Sequence, residues 1–303
     1  AGTPVAAIEA ALQAEGQHLS FEPPDWWALL GTQGEPTIGG AFAAGISGPR
    51  RIQAGALRDS AIGVRFVDGA GTIIKNGGRV MKNVTGYDLV KLLCGSWGTL
   101  GIVTEVFFKV LPLPETTATV TLRGLPDATA IAALSAALGS PFDISGAAHL
   151  AGHDAATAVR LEGFANSVRY RSDRIRALWA SFGDSEILDC DASRQFWRRV
   201  RDIEMFAGRS GAVWKLSMRP ADAPALISRL RELHDVEAMY DWGGGLVWLL
   251  VPEGGDCGAA AIRGGIDRTG GHATLVRATE GTRLAIPPFQ PETLAVAALS
   301  RGV

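Results

Sequence analysis

Cysteine is scarce and unpaired in this 303-residue sequence, where Cys94, Cys190 and Cys257 stand far apart. With no CxxC pair, neither a disulfide framework nor an iron–sulfur cluster is indicated, and a reducing cytoplasm fits. An excess of charge is lacking too. The net charge is −2 with no basic run, which argues against nucleic acid as a partner. No apolar run approaches the roughly 20 residues of a membrane span; the longest, Leu246–Val251, has strand length. Histidine is thin as well, at five: His18, His149, His153, His234 and His272. His149 and His153 would share a helix face, but they lie across Gly152 in a strand-to-turn stretch. They read as surface histidines rather than ligands, and no metal site is expected.

Glycine is abundant, at 38 residues. Two glycine-dense elements stand out, Gly34-Glu35-Pro36-Thr37-Ile38-Gly39-Gly40 and Gly95-Ser96-Trp97-Gly98-Thr99-Leu100-Gly101-Ile102-Val103, with Lys82–Leu89 between them. Glycine is costly to order and is kept where backbone needs a left-handed φ or a very close approach. A phosphate-bearing cofactor is the usual partner for such an approach, because backbone N–H groups then point at anionic oxygens. Neither element matches GxGxxG after a strand or GxxxxGK[ST], so nicotinamide and ATP sites of those kinds are not supported. Each element alone reads first as a plain turn. Together they read as a dinucleotide cradle.

The chain opens on a helix signal, Thr3 as N-cap, Pro4 at the first helical position, Val5, Ile8 and Leu12 on one face and Gly16 as the stop. So abrupt a start predicts that residues precede it. Ile62–Val67 and Thr72–Lys75 read as a hairpin about Asp68-Gly69-Ala70-Gly71. Pro112 and Pro114 close the segment, which places a boundary between a domain over 1–112 and a second over 113–303. The second domain repeats one order of elements. Strand 117–122, helix 126–138, strands 144–150 and 157–162, helix 166–181 and strand 186–189 form the first copy. A linking helix over 192–207 follows. Strand 212–218, helix 221–233, strands 237–241 and 245–251, helix 256–269 and strand 272–277 form the second. This is β-α-β-β-α-β written twice. The fold class is therefore α+β, with an antiparallel sheet that carries helices on one face and leaves the other face to cover a ligand.

The runs Gly34–Ser47, Lys82–Leu89 and Gly95–Pro112 resemble the FAD-binding domain of the vanillyl-alcohol oxidase/p-cresol methylhydroxylase superfamily. More closely the chain resembles the FAD-binding E subunits of bacterial glycolate oxidase. The more specific matches are Ser47-Gly48-Pro49-Arg50-Arg51, Gly78-Arg79-Val80-Met81-Lys82-Asn83-Val84-Thr85-Gly86-Tyr87-Asp88 and Trp214-Lys215-Leu216-Ser217. The resemblance implies non-covalent FAD, with Pro36, Thr37, Ile38, Gly39 and Gly40 along its pyrophosphate and flavin ring. Ser47 and Gly48 would line the same side, Arg58 and Asp59 would lie near the flavin, and Gly98, Gly101, Ile102 and Val103 would reach the cofactor, the last three through backbone groups. Residues 113 to about 280 would be the cap. The resemblance also implies a homologous FAD-binding catalytic subunit and an iron–sulfur subunit as partners. It implies a small 2-hydroxy acid as substrate of the complex and a cytoplasmic location, with any membrane attachment made peripherally through the complex. Members carry an N-terminal subdomain with a glycine-rich loop on the pyrophosphate, and a closing F-D-P-x-x-x-x-N-P-G segment. The sequence shows neither, which predicts that this stretch alone holds FAD weakly or loses it.

Oxidising a 2-hydroxy acid needs a base near the hydroxyl and a cation for the carboxylate. His272, after Gly270-Gly271, is the one candidate base, and a satisfied edge histidine is the alternative reading. Arg160, Arg169, Arg171, Arg174 and Arg176 read as a solvated helix face plus one strand residue. Arg194, Arg198, Arg199 and Arg201 read as a solvated face or a contact for acidic partners. The Trp26-Trp27 pair reads as core or as an interface. Three functions follow from these features: an FAD-binding subunit of a glycolate/D-lactate-type dehydrogenase complex, a flavin-free assembly subunit of such a complex, or a stand-alone FAD oxidase.

Overall fold

The computed structural model describes residues 1–78 and 86–301. The chain divides into two compact units. The first holds residues 1–122, 136–147 and 158–207, and the second holds residues 123–135, 148–157 and those from Gly208 onward.

The first unit starts with a helix, Val5–Ala14, whose Val5, Ile8 and Leu12 face the core as their spacing predicts. Its N-cap residue is Pro4 rather than Thr3. Thr3 instead gives its carbonyl to the N–H of Ile38. A two-residue strand β1 (Gln17–His18) pairs with β5 (Leu111–Pro112). Between them, β2 (Ala61–Val67) is the central strand of a three-stranded antiparallel sheet, flanked by β3 (Ile73–Gly77) and β4 (Ile102–Phe108). The β2–β3 turn works as its sequence predicts, with the Asp68 carboxylate accepting from the N–H groups of Ala70 and Thr72. Phe21, Phe42, Leu57 and Val64 are fully buried around this sheet. Burial of each such side chain contributes about 1.5–3 kcal/mol.

The doubled β-α-β-β-α-β order is present. The first copy comprises β6 (Thr116–Arg123), helix Asp127–Leu138, β7 (Gly146–Leu150), β8 (Ala156–Gly163), helix Ala165–Trp179 and β9 (Ser185–Leu188). The second comprises β10 (Ala212–Met218), helix Ala223–Leu233, β11 (Glu237–Asp241), β12 (Leu246–Val251), helix Ala259–Thr269 and β13 (Gly271–Arg277). In both copies the strands lie in the order fourth, first, third, second, as β9-β6-β8-β7 and β13-β10-β12-β11. Within the copies, β6 pairs with β9, β10 with β12 and β13, and β11 with β12, all antiparallel. All six residues of β12 are buried, which explains a strand with no polar alternation.

Between the copies runs helix Cys190–Arg201, capped by the Asp189 carboxylate on the N–H of Ala192. It buries Ser193, Trp197 and Val200, and Trp197 donates its indole N–H to Thr119 of β6 at 2.8 Å. Among the described residues no helix is long and apolar enough to cross a membrane.

Candidate functional site

The two glycine elements meet in the first unit. Helix Ile38–Ala44 begins at Thr37, whose hydroxyl accepts from the N–H of Gly40 at 3.1 Å, and ends at Gly45, which sits at φ +62°. The second element packs on that end: the N–H of Gly95 donates to Phe42 and that of Trp97 to Ala43. A Cβ on Gly45 would stand 3.1 Å from the Cα of Gly95, so backbone touches backbone there, and only glycine combines that contact with the left-handed φ. Beside this junction lies a groove of about 300 Å³, lined by Trp26, Trp27, Leu30, Pro36, Thr37, Gly40 and Ile46 among others. Trp27 is 52% exposed.

The other expected cofactor residues divide by what they touch. Ile38 and Gly39 donate their N–H groups to Thr3 and Ala1, and Pro36 accepts from Val5, so this strand-like edge is used by the chain's own first residues. A Cβ on Gly39 would collide with Ala1, one on Gly48 with the Glu22 carbonyl at 2.5 Å, and one on Gly101 with the Val67 carbonyl at 2.6 Å. At these three positions the close approach is made by the protein itself. Gly98, at φ +77°, has open space where a side chain would be, and Ile102 is strongly exposed. Val103 packs on the core. Ser47 is buried and accepts from the N–H of Leu57. Arg58 and Asp59 are exposed; the Asp59 carboxylate accepts from Ala56, and the Arg58 carbonyl accepts from Lys91. Residues 79–85 of the Gly78–Asp88 motif lie outside the described residues.

Two readings of charged residues need correction. Arg160 is not solvated but 4% exposed. Its guanidinium forms a two-pronged pair with the Glu22 carboxylate at 2.7 and 2.8 Å, while Arg50 joins Glu22 to Glu162 at 2.8–3.3 Å. Burial by itself would raise the Glu22 pKa, but Arg160 and Arg50 outweigh it and hold the carboxyl well below its usual range. Glu22 sits at φ +45°, and its carbonyl lies over Gly48, so the Ser47–Arg51 stretch wraps this residue. The signal was legible in β8, where Arg160 and Glu162 share one face of an otherwise apolar strand.

His149, expected at the surface, is fully buried in the second unit. Its Nδ1 meets the Thr157 hydroxyl at 3.0 Å and its Nε2 lies 3.4 Å from the Asp127 carboxylate. The position is next to last in β7, whose first four residues are all buried, and proximity to the exposed His153 is only sequential. Asp127 also accepts from Tyr240 at 2.5 Å and from Arg231 at 2.8 Å. Burial opposes ionisation of Asp127, yet the hydrogen bonds of His149 and Tyr240 and the charge of Arg231 lower its pKa to about 2. His272 belongs to the second unit, exposed near the start of β13 and opposite Ser217 of β10.

The first unit thus carries a groove beside two glycine elements, and the chain carries the β-α-β-β-α-β order twice. Comparison with known proteins identifies the family. The family described as an FAD binding domain matches residues 1–77. The chain is 36% identical to glycolate oxidase subunit GlcE of Escherichia coli over 95% of its own length and 74% of that protein. It is 45% identical to glycolate oxidase subunit GlcD of Bacillus subtilis over 32% of the chain and 20% of that protein. An alkyldihydroxyacetonephosphate synthase structure matches with a TM-score of 0.65 at 16% identity, covering 88% of this chain and 58% of that one, which supports the fold alone. The chain belongs to the GlcE family of glycolate oxidase subunits.

FAD is the cofactor of the matched domain. The groove's lining suits a planar ring, with the indoles of Trp26 and Trp27, the Gly40 backbone and apolar Ile46 along it. The FAD pyrophosphate finds less. The N–H groups of Ile38, Gly39 and Gly40 are all taken within the chain, so phosphate donors from these residues are absent.

Proposed function

We propose that this chain is the FAD-holding subunit of a glycolate/D-lactate-type 2-hydroxy-acid dehydrogenase complex. FAD supplies a two-electron acceptor there. The observation that carries the reading is the groove beside the Gly45–Gly95 junction, within a unit whose first 77 residues match an FAD binding domain. On this reading residues 1–112 form the FAD-binding domain and 113–303 the cap and return segment. Pro36, Thr37 and Gly40 face the flavin ring. Ile38 and Gly39 hold that edge in place from behind, and Ser47 and Gly48 fix the neighbouring turn. Gly98, Gly101, Ile102 and Val103 approach from the second glycine element, with Arg58 and Asp59 near the same region. A homologous FAD-binding subunit performs the proton and hydride chemistry, and an iron–sulfur subunit takes the electrons. His272 is the one candidate base on this chain.

A second reading, a flavin-free assembly subunit, is favoured by the internal use of the N–H groups at residues 38–40. One titration separates the two. FAD is added to the 303-residue chain while tryptophan and flavin fluorescence are followed, and the visible spectrum of the purified complex is recorded beside it. Binding by the chain, abolished by Gly98→Val, supports the FAD-holding role. A flavin content in the complex no greater than the catalytic subunit alone accounts for would reverse it in favour of the assembly role.

A further inference from the structure

The first unit holds a second, charged cavity apart from the groove assigned to flavin. It has a volume of about 370 Å³ and lies where helix Val5–Ala14, β1 and helix Cys190–Arg201 converge on the Glu22 cluster. Its walls carry five arginines, Arg50, Arg160, Arg194, Arg198 and Arg201, against three glutamates, Glu9, Glu22 and Glu162.

The charges resolve into pairs with a remainder. Arg50 and Arg160 are matched by Glu22 and Glu162. Arg201 is matched by Asp202 at 2.8 Å, with Glu9 at 3.8 Å. The side chains of Arg194 and Arg198, one helical turn apart, make no ion pair or hydrogen bond among the described residues. Unpaired arginines on an open helix face would need no explanation. These two line a cavity whose other walls are already fixed by buried ion pairs and by Trp197, on whose ring the Arg160 guanidinium stacks at 4.9 Å. A second observation points the same way: the Nε of Arg50, buried in this wall, finds no acceptor among the described residues. A buried donor without a partner is unfavourable, and an acceptor entering the cavity removes that cost.

We infer that this cavity is a binding site for a small dianion, held at its mouth by Arg194 and Arg198. Guanidinium forks match carboxylate and phosphate geometry in two-pronged fashion, so a dicarboxylate and an organic phosphate share the required chemistry. The volume falls within the range of small-molecule pockets. Gln13 and Gln17 line the same cavity and add neutral donors for a hydroxyl or carbonyl on the ligand. His18, also in the wall, has its pKa lowered first by burial and then by the nearby Arg50, against the opposing pull of Glu162. The site involves none of the residues assigned to flavin-ring contact, so it stands or falls apart from the proposed redox role.

The test is calorimetric titration of the 303-residue chain with malonate and, separately, glycerol 3-phosphate, against sodium chloride of equal ionic strength. Saturable binding of either probe above the chloride background is expected, and which one binds more tightly identifies the source of the anion. Arg194→Gln with Arg198→Gln should weaken that binding by at least about tenfold. Arg199→Gln, whose wild-type side chain pairs with Glu204 at 3.2 Å instead, should leave it unchanged. Both sets of arginines are exposed, so the variants keep their fold, and circular dichroism verifies this. Absence of binding beyond chloride, or equal weakening by Arg199→Gln, overturns the site.

Discussion

Among the described residues each unit holds a buried ionic cluster, and the two are balanced differently. In the first unit two carboxylates face two guanidiniums, and Glu22, Glu162, Arg50 and Arg160 all have side chains no more than 16% exposed. In the second unit one carboxylate, Asp127, accepts from Tyr240 and Arg231 and faces His149 at 3.4 Å, and Arg231 is 38% exposed. The first is a closed account of charge in which every member needs the others. The second keeps one arm in water, which can replace a lost partner. Buried pairs are costly to break because the survivor keeps its charge without its hydration; an arm in solvent escapes that penalty.

The largest effect should come from Glu22→Gln, which leaves Arg50 and Arg160 facing Glu162 alone. A loss of about 3–5 kcal/mol is expected, read by urea denaturation. A loss below about 1 kcal/mol would show that Glu162 balances both guanidiniums and would erase the distinction between the clusters.

Asp127→Asn comes next, at about 1–3 kcal/mol, because Tyr240 and His149 are left with a poorer acceptor. Here pH sharpens the comparison. The Asp127 pKa is about 2 in the fold against an ordinary 3.8. Because the folded value is the lower one, its contribution is complete above the unfolded value and is lost as pH falls from about 4 to about 2. The stability difference between wild type and Asp127→Asn should therefore shrink across that window and be constant above it. A difference that stays constant down to pH 2 would remove ionised Asp127 from the account of the second unit.

How far the sequence discloses these arrangements depends on the distance over which the cause acts. β10 and β11 coincide with the strands read from apolar alternation, since period and burial are local. The sequence predicts a linking helix through residue 207, but the helix stops at Arg201, because Ile203 takes a left-handed φ of +54° that a β-branched residue does not advertise. Glu22 and Arg160 are separated by 138 positions, so only the Arg-Leu-Glu alternation in β8 hinted at burial. The glycine elements were legible as places of close approach, but not what approaches. At Gly39, Gly48 and Gly101 it is the chain's own backbone. A sequence records the need for a missing side chain and is silent about the neighbour that imposes it.

Arg231→Gln should have the smallest effect, about 0.2–1 kcal/mol. The Arg231 side chain donates to the same Asp127 oxygen as the Tyr240 hydroxyl, at 2.8 Å against 2.5 Å. Its removal leaves that oxygen still hydrogen-bonded, with water free to enter on the exposed side. The Asp127 carboxyl would then rely on His149 and Tyr240, and its pKa should rise toward the ordinary value while remaining below it, moving the acid loss of stability to slightly higher pH. Denaturation at neutral pH and at pH 3 measures both parts. If Arg231→Gln costs as much as Glu22→Gln, exposure of one arm gives no protection, and the second cluster behaves as closed in the way the first does.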